Sequence, residues 1–187
     1  MRHLRSRDYR RVPWRNGRGC TAEIAVAPEG AGMDDFLWRV STAAVTEPGA
    51  FSAFPGVDRI LTVIAGDGLT LEIAGREPAA PGRHPFAFPG DLPCSARLAG
   101  GPVTDLNVMT RRGRCRAAVR WAEPAEALPG ASDRLVFAAR GPLAGRVGDR
   151  RFELDPGDTL WLSGSETQRL ELASAWLDIQ IIPGDPR

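Results

Sequence analysis

Histidine is the side chain best suited to ligating first-row metals or moving protons near neutral pH, and this 187-residue sequence holds only two, His3 and His84. Neither has another histidine two residues away, so a metal site built from imidazoles is not expected and no cofactor is implied. Cys20, Cys94 and Cys115 are widely spaced and form no CxxC pair, which reads as three reduced thiols. No GxSxG elbow offers a serine nucleophile. All 24 basic residues are arginine. Schiff-base chemistry through lysine is therefore excluded, and any cation that receives a ligand must be a guanidinium, whose fork matches a carboxylate. Three segments concentrate the remaining polar groups: Pro13–Ile24, Phe51–Arg59 and Asp105–Gly113. The only two asparagines, Asn16 and Asn107, lie in the first and third.

The elements that carry these segments read as strands. Ile24 and Val26 alternate with Glu23 in residues 22–26. Residues 36–45 set Phe36, Trp38 and Val40 against Arg39 and Ser41. Residues 59–64 and 69–73 are β-branched and separated by Ala65-Gly66-Asp67-Gly68, a hairpin-like turn. Residues 105–111 alternate again, with Asp105, Asn107 and Arg111 on one face and Leu106 and Val108 on the other. One short, weak helical stretch lies around residues 124–128. A faint internal repeat aligns LTVIAGDGLTLEIAG…PFAFPGD with RLVFAARGPLAGRVGDRRFELDPGD, each copy ending in Gly-Asp (Gly90-Asp91, Gly157-Asp158) before a further strand. Short strands, with Gly and Pro recurring between them, predict an all-β sandwich or barrel.

Composition bounds the partners. The chain is 43% hydrophobic and 25% charged with a formal net charge of +1, so nothing argues for nucleic acid or an anionic membrane. No run of about 18 apolar residues is present and the N-terminus lacks an apolar signal core. The expectation is a cytoplasmic protein, with His3 in a mobile terminus.

PWRNGRGCTAEIA, FLWRVSTA, FSAFPGVDRILTVIAG, PFAFPGD and DLNVMTRRG, in this order, resemble the HutD/Ves family of small bicupins. The resemblance runs from Pro13 to Gly113 and continues more weakly through PGDTLWLS. One departure is that the glycine run of the first loop is interrupted by Arg18. The resemblance implies an all-β bicupin, two fused cupin-like half-barrels or barrels of the RmlC-like jelly-roll type, in one unit spanning 1–187. Its N-terminal half covers about 12–113 and carries most of the motifs, and its C-terminal half covers about 114–187. It further implies no metal in the barrel, no established catalysis, and association with histidine utilisation through binding a pathway intermediate such as urocanate or N-formyl-glutamate.

The residues are compatible with such a ligand. Arg59 and Arg39 are the expected carboxylate partners, because each emerges among apolar strand neighbours rather than in a charged run. The alternative is a buried arginine paired with Glu23, Asp58 or Asp105. Asn107 is placed to donate and accept inside the barrel, Phe54 to form a wall, and Glu23 to orient an arginine or receive a donor. Asn16 is placed near the ligand or shapes a turn. Trp38 reads as core, and Arg111 and Arg112, beside Arg114 and Arg116, as a solvated edge.

Three functions compete. The preferred one is a non-enzymatic binding protein for a small carboxylate that moderates histidine catabolism. The alternative is a metal-independent isomerase or lyase acting on an organic acid or sugar, with Glu23 or Asp105 as general base; a carboxyl of raised pKa beside a cation would favour it. A purely structural dimer partner is third, since exposed sheet edges of small barrels invite homodimers; a continuous apolar outer face would favour that.

Overall fold

The computed structural model describes residues 1–14, 19–76, 83–124, 126 and 130–184. The strands are β1 (Arg2–Leu4), β2 (Arg10–Pro13), β3 (Cys20–Ala27), β4 (Trp38–Val45), β5 (Gly49–Phe51), β6 (Val57–Ala65), β7 (Leu69–Ile73), β8 (Phe86–Pro89) and β9 (Cys94–Leu98). They continue as β10 (Val103–Arg111), β11 (Cys115–Ala122), β12 (Asp133–Phe137), β13 (Leu143–Val147), β14 (Arg150–Leu154), β15 (Thr159–Ser163), β16 (Leu170–Leu172) and β17 (Trp176–Pro183). The helical content among the described residues is two short 3-10 turns, Ser6–Asp8 and Gly164–Gln168. No helix there is long and apolar enough to cross a membrane. Of the stretch expected to be helical at 124–128, only residues 124 and 126 are described.

The chain divides into two compact units. One comprises residues 10–116; the other joins residues 1–9 to 117–184. In the first, a six-stranded sheet ordered β2-β3-β4-β10-β6-β8 faces a three-stranded sheet ordered β5-β9-β7. Val45, Leu61, Val63, Phe88 and Val103 from the larger sheet meet Leu69, Leu71, Cys94 and Ala96 from the smaller in one core. In the second, β1-β15-β12-β17-β11 faces β14-β13-β16, with Val136, Leu160, Leu162 and Trp176 packed on Leu143, Val147, Leu154, Leu170 and Leu172. This second interior also holds charge. Arg134 and Asp178 are both fully buried, and Arg134 Nη1 donates to both Asp178 oxygens at 2.7 Å. Gln180 Nε2 donates to the same carboxylate at 2.7 Å, and Arg120 Nε stands 3.6 Å away.

Four sequence expectations need correction. Residues 65–68 do not close a hairpin, because β6 and β7 belong to different sheets. The turn carries the chain from one sheet to the other rather than back along β6, and it needs glycine, since Gly66 takes φ +92° and a Cβ there would lie 2.5 Å from the Pro102 carbonyl. Phe36 is not on the Trp38 face. It precedes β4, outside the alternation, and packs with Val26, Val57 and Met109. His3 is not in a mobile terminus: β1 pairs with β15, His3 Nε2 meets Asp158 Oδ2 at 2.6 Å, and the Ser6 amide donates to Asp158 Oδ1 at 2.8 Å. The two Gly-Asp turns are not equivalent, since Gly90-Asp91 follows β8, whereas Gly157-Asp158 precedes β15. Both of these strands pair with the corresponding strand of their unit, β6 or β12. The duplication therefore lies in strand order (β6 to β10 against β12, β13, β15, β16 and β17) and not in those turns.

Candidate functional site

Residues directly opposite each other on neighbouring strands share a face of the sheet. Asp105 lies opposite Ala43 and Val63, Asn107 opposite Ser41 and Leu61, and Met109 opposite Arg39 and Arg59. Arg59 in turn lies opposite Phe88. Because Leu61, Val63 and Phe88 belong to the core between the two sheets, Arg39, Ser41, Arg59, Asp105 and Asn107 all point into the interior of the first unit. Two irregularities flank the acids. The register shifts at Ile24, next to Glu23, and at Ile64, next to the Val63 that pairs with Asp105. An extra residue of this kind bends a strand and re-aims its side chains.

Arg59 is 6% exposed and enclosed by aromatic rings. Its guanidinium carbon lies 5.0 Å from the Phe88 ring centroid, 5.3 Å from Phe51 and 5.4 Å from Phe54, within cation–π reach of all three. Its hydrogen bonds are long: Nε donates to Asn107 Oδ1 and Nη1 to the Ser52 carbonyl, both at 3.4 Å. Among the described residues no carboxylate stands within ion-pairing distance of it. Burial lowers its pKa, against the pull of Asp105. A cation held by ring faces and two weak acceptors keeps most of its five donors for something else. Gly90 makes room for it, as a Cβ there would sit 3.2 Å from Arg59 Cδ and 2.9 Å from the Val57 carbonyl.

Arg39 is different. It is 7% exposed, and its Nε donates to Glu23 Oε2 at 2.7 Å while Nη1 reaches Ser41 Oγ at 3.4 Å. Glu23 also accepts from Arg10 Nε at 3.2 Å. Buried Arg39 is thus paired with half-buried Glu23, the alternative weighed for it from the sequence. Asp105 is a buried acid of this unit, 4% exposed. Burial pushes its carboxyl up to about 7, against the opposing pull of Arg59. Cys94, on the facing sheet, also feels Arg59, and burial raises its thiol pKa.

Beside the Arg59 cage opens a cavity of about 370 Å³ lined by Trp14, Val45, Glu47, Pro48, Gly49, Ala50 and Phe51. Phe51 is the shared wall between this cavity and the guanidinium. Trp14 is fixed by a 2.8 Å bond from its Nε1 to Thr21 Oγ1, and its ring covers Gly19, where a Cβ would lie 2.8 Å away.

The structure therefore brings Arg59, Asn107 and Phe54 together, sets Arg39 with Glu23 alongside, and places Trp38 on the opposite face of β4 from Arg39. Asn16 lies outside the described residues. Arg111 and Arg112 are structural. Arg111 stacks on Phe36 at 5.0 Å and donates to the carbonyls of Asp34, Phe36 and Pro55. Arg112 bridges Asp58 and Asp91 at 2.8 and 2.6 Å, tying together the turns that carry Phe54 and Gly90. Sequence reasoning missed the rings of Phe51 and Phe88 as cage walls. Their signal was present in the aromatic alternation of FSAF and PFAFPGD.

No group of three His, Cys, Asp or Glu side chains converges among the described residues. With histidines confined to His3 and exposed His84, the purified protein is expected to carry no stoichiometric first-row metal. Elemental analysis finding about one zinc, iron or manganese per chain would overturn this.

The sequence model named HutD matches residues 6–177. An uncharacterized 21.2 kDa protein in the hutC 3′ region of Pseudomonas putida is 38% identical over 184 residues, covering 96% of each chain. Protein Ves of Citrobacter koseri is 40% identical over 168 residues, 87% of this chain and 85% of its own. The solved structure of HutD from Pseudomonas fluorescens SBW25 superposes with a TM-score of 0.83 at 32% identity, over 97% of this chain and 98% of that one. A cupin 2 conserved barrel domain protein from Leptotrichia buccalis shares the fold at a TM-score of 0.57 and 11% identity, over 92% of each chain. The all-β, cupin-like architecture expected from the sequence is thus shown.

Proposed function

The chain belongs to the HutD family, which links it to histidine utilisation, and we propose that it serves there as a non-enzymatic binding protein. Its ligand is a small carboxylate metabolite, urocanate or N-formyl-glutamate, held on Arg59, and its binding moderates flux through the pathway. One observation carries the reading: a buried guanidinium, walled by three rings, has only two long hydrogen bonds and no carboxylate partner among the described residues. Such a group suits an incoming carboxylate, and the adjoining cavity of about 370 Å³ is of a size that takes a small ligand.

The charge count favours a single carboxylate. Arg39 is already balanced by Glu23, which leaves one guanidinium to be matched, and Glu47 lines the cavity beyond Phe51. Planar urocanate, which stacks on Phe51 and Trp14, is therefore expected to bind more tightly than the dicarboxylate N-formyl-glutamate. Isothermal titration calorimetry measures both. The expected dissociation constant is micromolar, about −8 kcal/mol, because a moderator of flux must release its ligand. Tighter binding of N-formyl-glutamate would reverse the order, and binding of neither would remove the reading.

A second reading is favoured by Asp105, whose carboxyl is pushed up to about 7 by burial beside the Arg59 cation. A general base held near neutrality is what a metal-independent isomerase or lyase needs. Glu23, engaged by two arginines, is the poorer candidate. Ultraviolet absorbance and mass spectrometry of each compound incubated with the protein separate the two. Unchanged compound supports binding, and turnover makes the protein an enzyme. The purely structural reading has the least behind it, since the large exposed hydrophobics among the described residues are only Val12, Met33 and Leu92.

A further inference from the structure

Resting on the reading that Arg59 receives a carboxylate, we propose that Asp105 binds the same ligand in its protonated form, donating its carboxyl hydrogen to the anion, so that one carboxylate is taken up together with one proton.

The geometry is that of two buried, opposite charges that do not meet. Asp105 and Arg59 point into the same interior from adjacent strands, at 4% and 6% exposure. They lie beyond ion-pairing distance of each other, and no hydrogen bond reaches the Asp105 side chain from any described residue. Asn107, two residues along the same face as Asp105, touches Arg59. An ion pair left open in a low-dielectric interior loses most of the attraction that would justify burying both charges. A carboxylate lodged between them satisfies both: the guanidinium donates to one oxygen and the Asp105 hydroxyl to the other.

The charged surroundings leave few other groups to interfere. From β6 comes Arg59, and from the facing β9 comes Cys94, whose thiol burial keeps neutral near pH 7. From β4 and β3 come Arg39 and Glu23, which balance each other. The direct neighbours Ala43 and Val63 carry no charge. Asp105 is held up by burial and drawn down chiefly by Arg59. An anion on Arg59 cancels that downward pull and adds a like charge beside the carboxyl, so the bound form holds its proton to higher pH than the free form. The proton comes from solvent when the free carboxyl is ionised and is already in place when it is not. Only an O–H bond is made.

The sign follows from linkage. Below about pH 7 the free carboxyl is already protonated, and affinity does not change with pH. Above that, binding must first load a proton, so the dissociation constant rises about tenfold per pH unit until the carboxyl of the complex itself ionises. Urocanate is a poor probe because its ring titrates in this range. N-formyl-glutamate and 3-(2-furyl)acrylate, a planar acrylate without a titrating ring, do not.

Calorimetry with these two probes from pH 6 to 9, in buffers of different ionisation enthalpy, tests the proposal on the unaltered protein. We expect a constant dissociation constant at the acid end, a tenfold loss per unit above about pH 7, and proton uptake approaching one per ligand at pH 8. Asp105→Asn, which keeps a donor at that position but cannot titrate, should bind with a dissociation constant independent of pH. Binding that is flat across the range without proton uptake in the unaltered protein would overturn the proposal while leaving the Arg59 reading intact. So would a slope that persists in Asp105→Asn. Failure of both probes to bind even at pH 6 would remove the Arg59 reading and this inference with it.

Discussion

Replacing Arg59 by alanine is expected to weaken carboxylate binding by about tenfold to a hundredfold while the protein stays folded. A hydrogen bond to a charged group is worth roughly 1.5–3 kcal/mol, and each 1.4 kcal/mol is a factor of ten in affinity. Folding should survive because Arg59 has no ion-pair partner among the described residues and makes only two 3.4 Å bonds. Its removal breaks no ion pair among the described residues, and Asp105, no longer drawn down by the Arg59 charge, stays neutral over a wider pH range. Arg59→Lys is the sharper control, because an ammonium cannot present two parallel donors or stack flat on three rings. Arg39→Ala should behave oppositely, destabilising the fold by leaving half-buried Glu23 with only exposed Arg10 as its partner. Normal binding by Arg59→Ala would remove Arg59 from the ligand site, and outright unfolding would make it part of the scaffold.

The second large effect concerns stability in the other unit. Asp178→Ala is expected to cost about 3–5 kcal/mol, because it leaves the fully buried Arg134 charge without the carboxylate that accepts both its Nη1 contacts. That is a large share of the 5–15 kcal/mol typical of a native protein. Urea unfolding followed by tryptophan fluorescence measures it, since Trp176 lies in the same core. Pairing the change with Arg134→Met should restore much of the loss, as a matched apolar replacement removes both desolvation costs. A drop below about 1 kcal/mol for the single variant would mean that water reaches the arginine.

Alternation carried much of the fold into the sequence. Asp105, Asn107 and Arg111 against Leu106 and Val108, and Arg39 and Ser41 against Trp38 and Val40, are readable two residues at a time because neighbouring side chains of a strand point to opposite faces. Apolar strand neighbours, in place of a charged run, marked Arg59 and Arg39 as unusual cations. That context could not tell which was already paired, because Glu23 meets Arg39 only through the register of β3 on β4, which the shift at Ile24 resets. Residues 65–68 looked like a hairpin because Gly66 and Gly68 favour any tight turn. What the local sequence does not show is that the chain changes sheet here and passes so close to the Pro102 carbonyl, 36 residues away, that a Cβ on residue 66 would lie 2.5 Å from it. Phe51 and Phe88 join Arg59 through β5–β9 and β6–β8 pairing, which leaves no local trace. The three-residue strand β1 bears too little apolar pattern to announce itself.

That short strand makes the larger part of the chain an insertion. Residues 1–9 complete the unit formed by 117–184, so β15 has its outer partner only when these two distant segments meet, His3 to Asp158 across 155 positions. During synthesis β1 emerges before residues 10–116 and waits for 117–184, while the unit at 10–116 can already fold from its own residues. The closing of so long a loop delays the contact without greatly weakening it, because loop entropy grows only logarithmically with length. A fragment cut at residue 117 would expose β15 as a bare sheet edge, open to pairing with its own copies. The economical dissection of this protein is therefore a circular permutation that fuses the end of β17 to β1, rather than a truncation.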